Sequence, residues 1–415
     1  MERPLSGVER MMYLHSEQAP ANGFSCVRLR GPLDEVELRR ALERLPHRHP
    51  LLAARVIRNE GVLTFTTEAV APIPLRVMSD DGSGQTFLEV AAAELVAALD
   101  RATGPLARFT LVRHQNGERA DLVMTVDHTI ADGTACLYAM RDLLTPEPAE
   151  RARAPSPLPP LLTHQGSAPV RAVEPPPALP PPDARPRSTS LFAVETSEIV
   201  VATAKLASEP MQALARRCKE RGVTVHAAAC AAFGAAFAEV SGNRDAVVIS
   251  SPVSYRHRLD PAVRDTVSCS IAFAEIHLDL TAPGSFWDQA LAVRQQLLAW
   301  TADDKIFAAS AAIEEASRAE RDDVRFLERT RQGANRADLS VSNLGRQPIP
   351  SHYGDVTIDA LHGAACLPGD IAVNLFTLDE TMHITWATSG LSRAANDAVR
   401  RMVASAITRL GVLPS

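Results

Sequence analysis

Lysine is nearly missing from this sequence. Lys205, Lys219 and Lys305 are the three among 43 basic residues, and arginine supplies the rest. Schiff-base chemistry needs a lysine whose pKa burial can lower, so the scarcity thins that class of enzyme. No apolar run is long enough to span a bilayer. The opening Met-Glu-Arg-Pro-Leu lacks the basic-then-apolar order of a signal peptide, and a cytoplasmic protein is expected. Six cysteines (Cys26, Cys136, Cys218, Cys230, Cys269 and Cys366) are scattered without a C-x-x-C among them. Zinc and disulfide frameworks are poorly supported, no metal site is expected, and several cysteines sit in apolar runs like small core residues. A net charge of −6 on 415 residues is mild and argues against nucleic acid as the main partner.

What is present is apolar material for large cores: 46% of the residues are hydrophobic. At this length two domains, or two halves of one large fold, are expected. Between Pro146 and Arg187 lie fourteen of the thirty prolines, including two Pro-Pro-Pro runs. Proline fixes φ and removes a backbone donor, so 146–187 reads as an extended linker between an N-terminal half, 1–145, and a C-terminal half, 188–415. A proline-rich ligand for a partner's groove is the alternative for this stretch.

Both halves mix helix and strand. Asp34-x-x-Glu37 reads as a capping box opening a helix with Leu38, Ala41, Leu42 and Leu45 on one face, ended by His49-Pro50. Strands are expected at Leu51–Ile57 and Val62–Thr67, and a hairpin from Phe109 to Val126 turning at Asn116-Gly117. In the second half, helices are expected from Ser208 to Gly222, from Thr224 through Phe237, around Ser285–Trp300 and from Ser392 to Leu410. Strands are expected at Ala246–Ser250 and Asp338–Ser342, with a hairpin from Ile371 to Thr388. The overall class is α/β.

The richest local signal is Val126-Asp127-His128-Thr129-Ile130-Ala131-Asp132-Gly133, between a strand and an amphipathic helix carrying Leu137, Met140 and Leu144. Strand side chains alternate, so Leu122, Met124, Val126 and His128 share one side and Asp127 takes the other. Histidine suits general-base work near neutral pH. Asp132 opens the helix, where it can cap backbone donors or meet a buried cation, and Gly133 leaves the backbone open to close approach. Spacing alone favours a hydrogen-bonded histidine in a strand-to-helix turn, with Asp132 as a plain N-cap, since H-x-x-x-D is short and occurs by chance.

These residues resemble the HHxxxDG signature of the condensation-domain and acyltransferase superfamily. That group includes nonribosomal peptide synthetase condensation domains, polyketide-associated acyltransferases, alcohol acyltransferases and chloramphenicol acetyltransferases. Other segments agree in order: Arg48-His49-Pro50-Leu51-Leu52, Gly222-Val-Thr-Val-His226, Pro252-Val253-Ser254-Tyr255-Arg256, and Ser342-Asn343-Leu344-Gly345. The style is nearest to stand-alone members. The resemblance implies two chloramphenicol-acetyltransferase-like lobes, a pseudo-dimer with a tunnel between them. It implies that His128 deprotonates an alcohol or amine as it attacks an acyl thioester, carried by coenzyme A or by an acyl carrier protein. It also implies a structural ion pair between Asp132 and Arg256, with Gly133, Ser342 and Asn343 near the substrate. No permanently bound cofactor is implied, and a monomer in natural-product or lipid biosynthesis is expected. One departure stands out: the first His of the signature is Asp127 here. Amide-forming or cyclising condensation on carrier-bound chains, and a non-catalytic recruitment platform, are the alternative functions. Of the remaining candidates, His47 and His49 read as solvated, His226 as a core residue, and Arg258 as a second choice of partner for Asp132. Arg331, Arg336 and Arg346 read as surface groups that could also dock an anionic carrier.

Overall fold

The structure, a computed structural model, describes residues 1–18, 21–115, 117–146, 194–243, 245–258, 264–281, 283–334, 337–346, 349–365 and 370–411. Of the expected linker only Pro146 lies within them, and Asn116 and Cys366 lie outside. The first half runs β1 (Glu2–Pro4), α1 (Gly7–Gln18), β2 (Asn22–Arg30), α2 (Glu35–Arg48), β3 (Arg55–Asn59), β4 (Val62–Thr66), β5 (Leu75–Ser79), α3 (Thr86–Val96), β6 (Ala107–Arg113), β7 (Arg119–Asp127) and α4 (Gly133–Leu144). The second runs β8 (Val194–Leu206), α5 (Ser208–Glu220), α6 (Val225–Ser241), β9 (Ala246–Ser254), β10 (Ile271–Asp279), α7 (Phe286–Trp300), α8 (Asp303–Ala319), α9 (Asp323–Ala334), β11 (Leu339–Arg346), β12 (His352–Tyr353), β13 (Val356–Ala365), β14 (Ile371–Leu378), β15 (Thr381–Leu391) and α10 (Arg393–Gly411).

Local chemistry accounts for the element ends. Asp34 caps α2 by accepting from Val36 N at 2.8 Å and Glu37 N at 3.4 Å. Thr224 caps α6 in the same way, accepting from Ala227 N at 3.1 Å, and Gly242 ends that helix with φ 71°. Helix α6 is alanine-rich and buried nearly all round, as its unbroken apolar sequence requires. A Cβ on its Gly234 would meet Leu278 Cδ2 at 2.6 Å, so glycine lets the helix lie close on β9 and β10. Two expectations need correction. Pro50–Ala53 forms a 3-10 turn and the strand begins only at Arg55, because proline at its first position favours a tight turn. His49, expected to be solvated, is fully buried, for reasons that belong to the site below.

The two large sheets are six-stranded, in the orders β12-β13-β2-β7-β6-β5 and β10-β9-β11-β14-β15-β8. This is the mixed α/β, two-lobed architecture expected from the sequence. Strands β12 and β13 come from the second half of the chain but join the first sheet, where β13 pairs antiparallel with β2 from Thr357↔Arg30 to Ala365↔Gly23. Splitting the chain at 145 and 188 thus separates sequence halves rather than sheets.

Strand β13 also packs against β14 and β15 of the second sheet. At this junction the rings of His362 (β13) and His383 (β15) meet edge to face, 5.8 Å apart, and Phe87 of α3 lies 5.4 Å from His362. His362 Nδ1 is 3.2 Å from Thr385 Oγ1. Burial first, then the neighbouring His383 and Arg28, pushes His362 down to about 3, and burial with Lys205 and Arg28 pushes His383 to about 4. His226 in α6, 2.6 Å from Ser251 Oγ, falls to about 4 by burial.

All three imidazoles are therefore neutral in the fold and reject protons that the unfolded chain accepts near the ordinary 6.5. Their contribution to stability is full above that value and is lost as pH falls toward about 4. Urea denaturation should show stability falling across that window, with a shallower fall in His383→Gln. A profile that is flat, or that steepens in the variant, would contradict this assignment.

Candidate active site

The strand β7 delivers His128. Its last residues alternate as expected, so Val126 and His128 line a cavity of about 250 Å³ while Asp127 does not. Asp127 is fully buried behind the turn instead. Its Oδ1 accepts from Thr129 N at 2.9 Å, Thr129 Oγ1 at 2.5 Å and Ser16 Oγ at 3.4 Å, and its Oδ2 lies 3.3 Å from Arg101 Nη1. A carboxylate in this place braces the turn from the back. The backbone N–H of His128 donates to Ala21 O at 3.0 Å, which holds the turn against the start of β2. His128 Nδ1 is buried and has no hydrogen-bond partner among the described residues.

One turn further on, Asp132 caps α4 by accepting from Ala135 N at 2.8 Å. Its other oxygen accepts from Ser270 N at 2.8 Å and lies 3.1 Å from Arg256 Nη2. Both side chains are almost completely buried, at 2% and 4% exposure. Arg256 stands in a short 3-10 turn, Arg256–Arg258, just past β9. It also donates to Arg264 O at 3.1 Å, Thr266 O at 2.8 Å and Ser268 O. Four of its five N–H groups find acceptors, which offsets part of the cost of burying the charge, while Nε is buried with no partner among the described residues.

The segment 264–270 of the second half is fastened to the first half at further points. Val267 N donates to His49 Nδ1 at 3.2 Å, and the opposite ring nitrogen lies 3.1 Å from Asp142 Oδ2. Burial lowers the His49 pKa, so the neutral ring accepts at Nδ1 and donates at Nε2. Burial opposes ionisation of Asp142, yet the hydrogen bonds from His49 and Arg141 hold its carboxyl at about 2. Arg141 Nη1 reaches Asp265 Oδ2 at 3.3 Å. These bonds are why His49 is buried, and the Arg-His-Pro sequence around it gave no sign of a partner 218 positions away.

The cavity lies between the lobes. Strands β2 and β13 give one wall of small residues, including Gly23, Ser25, Gly363 and Ala365. The second sheet gives the facing wall, with Ser254 from β9, Ser340 and Ser342 two positions apart on β11, and Asn374 from β14. Phe273 of β10 also lines it and is 44% exposed. Gly133 stands at the α4 end, where a Cβ would come within 2.9 Å of Leu344 Cδ2, so glycine admits β11 close to the motif. Asn343 lines the cavity, but its Oδ1 is held by Gly345 N at 2.8 Å. Asn343 also borders a second depression of about 400 Å³, rimmed by Gln212, Arg216, Arg346 and Glu380. Arg346 is exposed there, 3.5 Å from Glu380, and Arg258 is turned elsewhere, donating to Thr301 O at 2.6 Å. The side chains of Arg331 and Arg336 lie outside the described residues.

Cavity-lining Cys136 is no nucleophile, since burial raises its thiol to about 12. Cys26, Cys218, Cys230 and Cys269 are likewise buried and free of disulfides. Among the described residues no cluster of His, Cys, Asp or Glu is arranged to hold a metal ion, and no single helix is long and apolar enough to cross a membrane. Sequence reading passed over Asn374, although an amide between Val373 and Leu375 in the strand Ile371–Leu378 is the one polar choice at an inward position beside Ala372 and Phe376.

With this geometry in view, the family model described as "Phthiocerol/phthiodiolone dimycocerosyl transferase C-terminus" matches residues 195–375. Phosphinothricin tripeptide synthetase PhsC of Streptomyces viridochromogenes is 25% identical over 324 residues, 71% of this chain and 29% of that protein. The chain thus spans under a third of this curated relative's length. The first condensation domain of the CDA synthetase superposes with a TM-score of 0.70 at 18% identity, covering 100% of this chain and 97% of that one. Polyketide synthase associated protein 5 from Mycobacterium tuberculosis gives 0.67 at 16%, covering 99% of each. The likenesses to the solved structures show the fold.

The ion pair generates a prediction. Asp132→Asn and Arg256→Met should each cost about 3–5 kcal/mol, because each strands a buried charge. In a double-mutant cycle by chemical denaturation the combined variant should recover a good part of that loss. Simple additivity would show that the two residues act independently.

Proposed function

We propose that this chain, whose resemblance to the condensation-domain and acyltransferase superfamily holds in sequence and in fold, moves an acyl group from a thioester to an alcohol, with His128 as general base. The observation that carries the reading is His128 itself. It is a histidine held by its backbone and by a braced turn, at the wall of an inter-lobe cavity, with a ring nitrogen that no described protein group occupies. In the proposed reaction the imidazole takes the proton from the acceptor hydroxyl as the oxygen attacks the thioester carbonyl. The tetrahedral intermediate then expels the thiolate, which recovers the proton from the imidazolium. No acyl-enzyme is required, because the cavity holds both reactants together.

In this reading Asp132 acts by position, fixing the turn through Arg256, and Gly133 lets the lobes close around the reacting groups. Ser342 and Asn343 contact the substrate. Asn343 borders both the cavity and the arginine-rimmed depression, which suits a donor arm entering from that side. The donor is acyl-coenzyme A or an acylated carrier protein, in a cytoplasmic natural-product pathway. Likeness to a peptide synthetase favours a second reading, amide formation on carrier-bound chains. Asp127 in place of the first signature histidine weighs toward ester formation. A platform without catalysis would have no use for His128.

Incubation with acyl thioesters and a panel of alcohols and amines, followed by mass spectrometry, tests the proposal. His128→Ala should lower turnover by roughly 10² to 10⁴-fold with the fold intact. Turnover near the parent rate across several acceptors would remove His128 from the base's role.

A further inference from the structure

We infer that Asn374 donates a hydrogen bond to the carbonyl oxygen of the bound acyl group, from the wall facing the motif. The inference rests on the acyl-transfer reading and names the residue that would recognise the reacting carbonyl. Asn374 lines the same cavity as His128. Its Nδ2 is buried and has no acceptor among the described residues. A buried amide N–H without a partner is costly, and proteins keep few of them. Nothing in the fold asks for it. The neighbours on either side of the strand pairing are Ser342 of β11 and Thr385 of β15, and Thr385 Oγ1 is already engaged with His362. An apolar residue at 374 would continue the packing of Ala372 and Phe376.

Three other polar side chains of the cavity are engaged by the protein, while Ser340 and Ser342 offer hydroxyls beside Asn374. Asn22 Nδ2 donates to Glu94 O and Ala97 O, both at 2.8 Å. Asp132 is saturated by Ala135, Ser270 and Arg256. Asn343 has its oxygen fixed by Gly345. Asn374 is thus a neutral donor built into a strand, which places it more firmly than a loop would. A neutral N–H donor suits a carbonyl oxygen that gains negative charge as the acceptor attacks. The acceptor's own hydroxyl is by contrast the concern of His128.

The test uses the terminal arm common to coenzyme A and carrier proteins: an S-hexanoyl N-acetylcysteamine thioester and its S-hexyl thioether, which lacks the carbonyl. Their binding to the full chain is followed by NMR titration without acceptor. The parent should prefer the thioester by roughly ten-fold, the worth of one such hydrogen bond. Asn374→Leu should bind the two alike while keeping the parent's affinity for the thioether. Its melting temperature should be unchanged or higher, since an unpaired donor has been removed. A preference that survives in Asn374→Leu overturns the inference, as does an equal weakening of both probes, the signature of a donor that serves only a cavity water. A marked fall in melting temperature also overturns it, by revealing an internal partner. Turnover is measured separately. If no acyl transfer occurs but the preference vanishes with Asn374, the functional reading fails while carbonyl recognition stands.

Discussion

Asp132 and Arg256 meet where solvent does not reach, and most of the geometry of the candidate site depends on that meeting. A lone carboxylate at the first turn of α4 would be an ordinary cap. Paired with an arginine that gives three further N–H groups to the 264–270 segment, it becomes the joint between two sheets. The pair stabilises less than its short distance suggests, because both charges have left water. Its effect is selective: this relative placement of the lobes gives Arg256 Nη1 and Nη2 four acceptors, and other placements would leave the charge stranded. The cavity next to His128 is a consequence of that restriction.

The surroundings follow the same logic at lower cost. His49 is held neutral so that it can accept from Val267 and donate to Asp142, and Arg141 reaches across to Asp265. Asp127 secures the back of the histidine turn through Thr129 and Arg101. Asn22 and Asp132, which also line the cavity, are engaged by the protein. His128 Nδ1 and Asn374 Nδ2, buried side-chain nitrogens of cavity residues without a partner among the described residues, stand out by contrast.

Much of this was legible in the chain. Capping residues, apolar periodicity and the Asn116-Gly117 signal located α2, α5, α6, α7, α10 and the β6–β7 hairpin to within a few residues. The period-two alternation of the sequence in β7 is enough to separate His128 from Asp127. Elements without strong punctuation went unread, notably α1, α3, β2 and β13, whose character is set by partners far away in the sequence. His49 shows why. A histidine next to a proline at a helix end has the composition of a surface group, and only a long-range contact makes it a core one. Asn374 was overlooked for a related reason, since an amide inside a strand has no local signature and gains meaning only from the space it faces.

The pairing of β13 with β2 has a consequence for how the chain comes into being. The first sheet is short of two strands until residues 352–365 have been made, so a nascent chain emerging from the ribosome must hold β2 unpaired on that edge through some three hundred residues of synthesis. Contacts of such separation are slow to form, and an open apolar edge invites wrong pairings meanwhile. Arg28 and Arg30, alternating along β2 with the core residues Val27 and Leu29, are charges of the kind that discourage such pairing. The late arrival of β13 makes completion of the cavity between the lobes one of the last events in the making of the protein.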